Sequence, residues 1–131
     1  MRLLLDTHIW IWSQIAPERL VPPVTTALVA PDAEIWLSPI SVWEFLLLVE
    51  RGRLTLDRPP HDWIDAAWSS AAVREAVLNQ EVARRSRTIK LPHQDPADRF
   101  LAATAQVYDL ALVTDDEHLL KGRGFAKLAN R

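Results

Sequence analysis

The amino-acid sequence predicts an α/β fold in which helices cover a central, mostly parallel sheet of four to five strands. Short apolar runs alternate with segments of helical pattern, which is typical of strands that are buried on both faces and linked by helices. Two of these runs end directly in aspartate, at Asp6 and at Asp115-Asp116. Because ligands bind outside the carboxyl ends of strands in open parallel sheets, we expect these acids to meet at one edge of the sheet.

Length and composition describe an ordinary globular chain and exclude several kinds of site. The 131 residues fit a single domain, 1–131, that is large enough to bury a substantial core. The absence of cysteine excludes disulfides, thiolate zinc sites and cysteine nucleophiles. None of the three glycines lies in a GxGxxG or Walker A pattern. The net charge of −2 argues against a protein whose whole surface binds nucleic acid.

The N-terminal sequence and the hydropathy predict a cytoplasmic protein without membrane contact. Asp6 comes too early for the apolar core of a signal peptide. No apolar run approaches the ~20 residues that a membrane-spanning helix needs.

Proline, glycine and capping residues mark the ends of the predicted elements. Ser38-Pro39 and Asp95-Pro96 each combine an N-cap with a proline at the first helical position, and Gly52 ends the first of these two helices. Residues 53–60 are predicted to be a connector that can include an extended piece. The apolar runs predict strands at residues 2–5, 34–38, 110–114 and, at the edge, 126–128. The helical patterns predict helices at residues 7–13, 22–30, 39–51, 61–72, 79–88, 95–109 and 117–120.

The segment LPHQDPADRFLAATA, residues 91–105, brings two candidate acids to the start of a helix. Asp95 is suited to the N-cap, and Asp98 falls three residues later at the head of the apolar stripe that faces the core. Capping is a sufficient explanation of Asp95. The helix dipole is a weaker explanation of Asp98, because an acid on a core-facing stripe loses solvation.

Glu44 is the second acid in an apolar setting. It is the only charged residue between Ile35 and Val49, and its neighbours at helical spacing include Ile40 and Leu47. This spacing places the carboxylate on or beside the buried face of its helix. The alternative is a side chain that turns to solvent at the edge of the helix.

Each candidate acid also has a structural explanation when it is taken alone. Asp6 can cap the helix that follows it, and Asp115 or Asp116 can form a turn or a cap. Four such coincidences in one topology are a much less attractive explanation than one shared site. The predicted cluster consists of Asp6, Glu44, Asp98 and either Asp116 or Asp115.

Electrostatics predicts what this cluster binds. Two carboxylates ~4 Å apart repel by about 4 kcal/mol at an effective dielectric constant of about 20, so four cannot all stay ionised and close together without a cation. An all-oxygen ligand set suits Mg²⁺ or Mn²⁺, whereas zinc is less suited in the absence of cysteine or an HxxxH pattern. Such a cation can promote in-line displacement at a phosphodiester. The histidines are scattered, and a surface role is predicted for all four of them: His8, His61, His93 and His118.

Four segments of the chain, in register, resemble PIN-domain ribonucleases, specifically the VapC-type toxins of prokaryotic toxin–antitoxin pairs. The segments are LLLDTHIWIW at 3–12, SPISVWEF at 38–45, LPHQDPADRFLAATA at 91–105 and LALVTDD at 110–116. The resemblance implies a PIN-like α/β/α sandwich and hydrolysis of RNA that depends on Mg²⁺ or Mn²⁺. It also implies a homodimer and neutralisation by a cognate antitoxin that docks over or near the active site.

By position, the resemblance assigns metal binding and catalysis to four acids. These are Asp6, Glu44, Asp98 and Asp116. Thr7 and Thr114 match the polar positions next to the first and the last acid. The sequence departs from the family pattern because two of these acids have a second aspartate nearby: Asp95 accompanies Asp98, and Asp115 accompanies Asp116. We rank Asp116 ahead of Asp115 as the fourth acid.

Basic and aromatic side chains on two further surfaces have a binding interpretation and a structural one. The basic side chains near the loop that carries Asp95 and Asp98 can hold RNA phosphates, or they can simply form a solvated helix face. They are Arg84, Arg85, Arg87, Lys90 and Arg99, the last of which can also pair with an acid. Trp63 and Trp68 can line a groove for an antitoxin helix or pack in the core.

The alternative function is a catalytically inactive PIN-like or receiver-like module that binds a partner. Receiver domains also collect aspartates at strand ends, but they need a lysine downstream of a central aspartate, and Lys90 and Lys121 are poorly placed for that role. Glu44 favours the nuclease, because a binding module has little use for an acid on a buried helix stripe.

Overall fold

The computed structural model describes residues 1–70 and 72–131, which form a five-stranded, all-parallel sheet and seven α-helices. The strands are β1 (Arg2–Leu5), β2 (Glu34–Leu37), β3 (Arg74–Glu75), β4 (Ala111–Thr114) and β5 (Ala126–Ala129). The helices are α1 (Thr7–Ile15), α2 (Pro22–Val29), α3 (Pro39–Glu50), α4 (Pro60–Ser70), α5 (Gln80–Ser86), α6 (Pro96–Tyr108) and α7 (Glu117–Leu120). A short 3₁₀ turn, Pro17–Arg19, separates α1 from α2.

Strand β1 lies at the centre of the sheet, whose order is β3-β2-β1-β4-β5. Leu3 of β1 pairs with Ile35 of β2 on one side and with Ala111 of β4 on the other. All pairings are parallel, so the carboxyl ends of β1 and β4 lie side by side. The residues that follow these two strands are therefore neighbours although more than 100 positions separate them in sequence.

The two faces of the sheet each bury a hydrophobic cluster. Leu3 and Leu5 of β1 point into a cluster that includes residues of α1, α3 and α4. Leu4, which alternates with them, points into the opposite cluster with residues of α6 and α7. This alternation places helices on both faces and makes the fold a three-layer α/β/α sandwich.

Three aromatic rings form the centre of the first cluster. The rings of Phe45 and Trp63 stack with their centroids 4.4 Å apart, and Trp10 meets the edge of Trp63 at 5.4 Å. Trp68 is half-buried against the same cluster. The two tryptophans of α4 therefore pack in or against the core, and Trp63 also borders a cavity of about 420 Å³ between α4 and the 53–60 segment.

The predicted fold class is confirmed, including the parallel sheet and the edge strand β5. The sequence did not predict β3, whose two exposed, charged residues lack the apolar pattern of a strand. Residues 53–60 contain no strand and lead into α4, which begins at Pro60. The predicted helix 61–72 ends at Ser70, and residue 71 lies outside the described residues. Within the described ranges, none of the helices has the length and apolarity required to span a bilayer.

Candidate active site

Asp6 lies where β1 passes into α1, and it is the most buried acid of the cluster. Its side chain caps α1 by accepting a hydrogen bond from the Thr7 amide at 2.8 Å. Its Oδ2 atom accepts a second hydrogen bond, 2.7 Å long, from the hydroxyl of Thr114 at the end of β4. Only 8% of Asp6 is exposed, and this burial raises its pKa to about 6 despite the two hydrogen bonds.

Asp98 lies in the first turn of α6, beside Asp6. Asp95 caps this helix, as the sequence predicts, and accepts a hydrogen bond of 3.0 Å from the Asp98 amide. Burial and then the charge of Asp6 raise the pKa of Asp98 to about 7, and Asp95 and Asp116 contribute further repulsion. These carboxylates are therefore close enough to oppose one another's ionisation.

Glu44 reaches the same region from α3. Its Oε1 atom accepts a hydrogen bond of 2.5 Å from the hydroxyl of Thr7, and the Ser41 hydroxyl lies 3.0 Å from the same Thr7 oxygen. Burial raises the pKa of Glu44, and the charge of Asp95 adds to this effect. Thr7 therefore joins two acids, because its amide binds Asp6 and its hydroxyl binds Glu44.

Asp116, which we rank ahead of Asp115 as the fourth acid, lies at the start of α7. Its side chain caps α7 and accepts hydrogen bonds from the amides of His118 and Leu119 at 2.8 and 3.1 Å. Its own amide donates to the Thr114 hydroxyl at 3.0 Å, and its charge helps to raise the pKa of Asp98. The Asp115 carbonyl instead accepts a hydrogen bond from Arg131.

His93 belongs to the site, and the predicted surface role is wrong for this residue. Its Nε2 atom lies 2.8 Å from Oδ2 of Asp98, and both side chains are largely buried. Its ring stacks on the ring of His118 with 4.3 Å between the centroids. The position of His93 in the loop before Asp98 was the available signal, but sequence spacing alone does not show which way a loop side chain points.

Arg99 does not face RNA, and that prediction is wrong. The residue is 5% exposed, and its guanidinium contacts the segment that joins α5 to α6. It donates hydrogen bonds to the carbonyls of Ser86, Ile89 and His93 at 2.7, 2.8 and 3.2 Å. Arg99 therefore holds the segment between α5 and α6 in place, which positions His93 against Asp98.

The arginines of α5 and its C-cap remain exposed. Arg85 donates a hydrogen bond of 2.9 Å to the side chain of Gln106. Arg87 donates one of 3.4 Å to the side chain of Gln94, which lies just before α6. Arg84 is exposed on the same short helix. These positions are compatible with the predicted contacts to RNA phosphates, which remain a prediction.

The donor atoms of the cluster fit a hard divalent cation such as Mg²⁺ or Mn²⁺. They are carboxylate oxygens, and the raised pKa values of Asp6 and Asp98 reflect burial and mutual repulsion that a bound cation would offset. Among residues 1–70 and 72–131, no three acidic or histidine side chains are already gathered tightly enough to enclose an ion. The cluster therefore fits a divalent cation by the chemistry of its carboxylate oxygens and of the residues that surround them.

A cavity of about 580 Å³ opens beside the acids, between α1, α3 and α6. Its polar wall includes Thr7, Glu44 and Asp95, and its apolar wall includes Phe100 and the half-exposed Trp43. Of the four candidate acids, Glu44 lines this cavity directly.

Comparison with known proteins identifies the family and the fold of the chain. The family model of the PIN domain matches residues 3–124. Ribonuclease VapC22 of Mycobacterium tuberculosis is 32% identical over 124 residues, which cover 92% of each protein. The VapBC2 complex of Rickettsia felis, solved with a DNA fragment from its promoter, contains a chain of similar fold, with a TM-score of 0.73, 14% identity and coverage of 98% of each chain.

A second solved structure, FitAcB of Neisseria gonorrhoeae, has a TM-score of 0.63 and 23% identity, with coverage of 96% of each chain. At these identities the two structures show the fold alone, whereas the family model and the VapC22 sequence show the family. The chain therefore belongs to the PIN-domain family and, within it, to the VapC-type proteins.

Proposed function

We propose that this chain is a metal-dependent endoribonuclease, the toxin of a toxin–antitoxin pair, whose acids are Asp6, Glu44, Asp98 and Asp116. The observation that carries the proposal is the pairing of Asp6 with Asp98: both carboxylates are largely buried, and burial together with the charge of Asp6 raises the pKa of Asp98 to about 7. A structural role does not require two acids to repel each other inside a folded chain. The name of the VapC22 relative supports ribonuclease as the activity.

The hydrogen bonds of the site give each acid a fixed place. Thr114 and the Thr7 amide hold the Asp6 carboxylate, the Thr7 hydroxyl holds Glu44, and His93 holds Asp98. These contacts leave carboxylate oxygens available to bind Mg²⁺ or Mn²⁺. When bound, such a cation polarises the phosphoryl oxygens and lowers the pKa of water. The groups that hold the acids are preorganised, so little reorganisation is needed when substrate arrives.

We assign the whole chain, 1–131, to one PIN domain that works in the cytoplasm. The family model covers nearly all of it, and the two hydrophobic clusters share the same sheet. A cognate antitoxin is part of the proposal, since the similar solved structures include toxin–antitoxin complexes. A homodimer is also proposed, because the family resemblance implies one. The cavity beside Glu44, with its exposed Trp43, offers the apolar contact that a protein inhibitor needs.

The proposal is tested by cleavage of mixed cellular RNA with purified, antitoxin-free protein in Mg²⁺, Mn²⁺ or EDTA. Asp6→Ala and Asp98→Asn are the active-site variants, and Asp65→Asn is the matched control because Asp65 is exposed on α4. We expect cleavage that requires metal, that is lost in both active-site variants and that persists in the control.

Cleavage that survives in EDTA would contradict metal dependence. Cleavage that survives in Asp98→Asn would show that Asp98 is not one of the catalytic acids. If the wild-type protein cuts no RNA in any metal, expression in cells provides a second test. Growth arrest that Asp98→Asn relieves supports a nuclease that is selective for its RNA, and unimpaired growth supports the inactive binding module.

A further inference from the structure

Beyond the acidic cluster, the described chain carries a strip of four basic side chains: Arg85, Lys90, Lys121 and Arg123. The strip surrounds two adjoining hollows, of about 410 and 250 Å³. Lys90 and Arg123 line both hollows, while Arg85 completes the larger one and Lys121 the smaller one. No acidic side chain lines either hollow among the described residues.

The fold holds the strip together. The Arg123 amide donates a hydrogen bond of 2.9 Å to the Lys90 carbonyl, in an isolated antiparallel bridge that places the two residues side by side. Lys121 has an ion pair with Glu117 at 3.2 Å, and Arg85 has one with Glu81 at 3.8 Å. Both pairs are exposed and therefore contribute little. Lys90 and Arg123, which line both hollows, form no ion pair with the described residues, so their charge is available to an anionic partner.

The strip lies next to the candidate active site. The smaller hollow is lined by Leu91 and Pro92, which directly precede His93. His93 contacts Asp98 on one side and stacks on His118 of α7 on the other, and Lys121 follows α7 directly. The His93–His118 pair therefore connects Asp98 with the two segments that line the smaller hollow.

We infer that the strip binds the phosphate backbone of the single-stranded RNA flanking the bond that is cut, with the exposed His118 ring as a surface on which a base can stack. This inference rests on the proposed function and specifies where its substrate lies. Basic grooves that follow a backbone, combined with aromatic rings, are the general means by which proteins hold single strands without reading their sequence.

A nucleic acid fits the strip better than a peptide does. The large hydrophobic side chains that lie exposed in the described part of the chain are Met1, Ile15, Val29, Trp43 and Val77. None of them lines either hollow, and the large aliphatic side chains that do, Ile89 and Leu91, are buried or half-buried, so a protein partner would find charge there but no exposed large apolar anchor. Trp43 belongs instead to the cavity on the other side of the acids.

The inference is tested by binding of a short, mixed-sequence, labelled single-stranded RNA to the full chain in EDTA, at several salt concentrations. The test variant is the double substitution Lys121→Gln with Arg123→Gln. The matched control is Arg19→Gln with Arg58→Gln, which removes the same charge from exposed positions outside the strip. Circular dichroism and thermal melting establish that both proteins are folded.

Loss of two phosphate contacts should weaken binding about tenfold at low salt and reduce the slope of log K against log salt by about 1.4. The control should keep both the affinity and the slope of the wild-type protein. Equal affinity and slope in the test and control variants would overturn the inference. Unchanged RNA binding combined with lost binding of a polyglutamate peptide would also overturn it and would assign the strip to a protein partner.

Cleavage by the wild-type protein in Mg²⁺ is measured separately, so the two proposals can fail independently. RNA binding that depends on the strip, without cleavage in any metal, would contradict the proposed nuclease and leave the strip as an RNA-binding surface. Metal-dependent cleavage, together with RNA binding that the strip substitutions do not change, would support the nuclease and overturn the inference about the strip.

Discussion

The hydroxyl of Thr114 donates a hydrogen bond of 2.7 Å to Oδ2 of Asp6, and this contact joins the ends of β4 and β1 across 108 positions of sequence. It is the largest influence that lowers the pKa of Asp6 against the effect of burial. The Thr114 oxygen also accepts a hydrogen bond from the Asp116 amide. One side chain thus links the first and the last acid of the proposed site.

Thr114→Val should raise the pKa of Asp6 further, because it removes this donor from a buried carboxylate. The unpaired groups should cost about 1–3 kcal/mol in the free energy of unfolding. The rising limb of the pH–rate profile should move to higher pH, since more Asp6 is protonated at a given pH. Thr114→Ser keeps the hydroxyl and should resemble the wild-type protein. Equal profiles for valine and serine would show that the contact has no influence on Asp6.

The stability of the metal-free protein should fall as the pH rises between about 4 and 7. The pKa of Asp6 is raised from 3.8 to about 6, and that of Asp98 from 3.8 to about 7. Both acids are protonated in the native and unfolded chains below this window. Within it, the native chain retains protons that the unfolded chain loses, so unfolding becomes easier with rising pH.

The fall in the free energy of unfolding is measured by chemical denaturation in EDTA across this range. Asp98→Asn should remove the fall in stability at the upper end of this pH range. At neutral pH the variant should be as stable as the wild-type protein or more stable. Stability that rises between pH 4 and 7 would contradict the raised pKa values.

Millimolar Mg²⁺ or Mn²⁺ should raise the melting temperature, because a ligand that binds only the native chain stabilises it. The gain is about 2.7 kcal/mol at a concentration 100 times the Kd. Asp98→Asn should lose this gain, and Asp65→Asn should keep it. An identical melting temperature with and without metal would count against a formed site.

His93→Ala should weaken metal binding and slow cleavage about 10- to 100-fold, because His93 holds the Asp98 carboxylate. His93→Gln retains a hydrogen-bond donor and should recover part of the loss. Calorimetric titration with Mn²⁺ reports the metal affinity independently of activity. His61→Ala is the control, since His61 is exposed at the start of α4. Unchanged affinity in His93→Ala would leave His93 without a positioning role.

Arg99→Met should destabilise the fold by about 3 kcal/mol, because it leaves three backbone carbonyls without their donor. Arg84→Met, at an exposed position, should be close to neutral. Urea denaturation distinguishes the two variants. Equal stability of Arg99→Met and Arg84→Met would show that these three hydrogen bonds do not stabilise the fold.

Local patterns were sufficient to predict most of the fold. A short apolar run that ends in an aspartate identifies both a buried strand and the place where it stops, as at Asp6. A cap followed by proline identifies the start of α3 at Ser38 and of α6 at Asp95. These signals are contained within a few neighbouring residues. Strand β3 has no such signal, since its two exposed residues are held only by pairing with β2.

The sequence by itself determined the alternation of strands and helices, the caps that begin α3 and α6, and the presence of acids where strands end. Only the tertiary structure decided that Arg99 faces three carbonyls, that His93 meets Asp98 and that Lys90 lies beside Arg123. The physical reason is the range of the interactions. Backbone geometry and burial periodicity act between neighbours along the chain, whereas the partner of a polar side chain depends on which distant segments the sheet brings together.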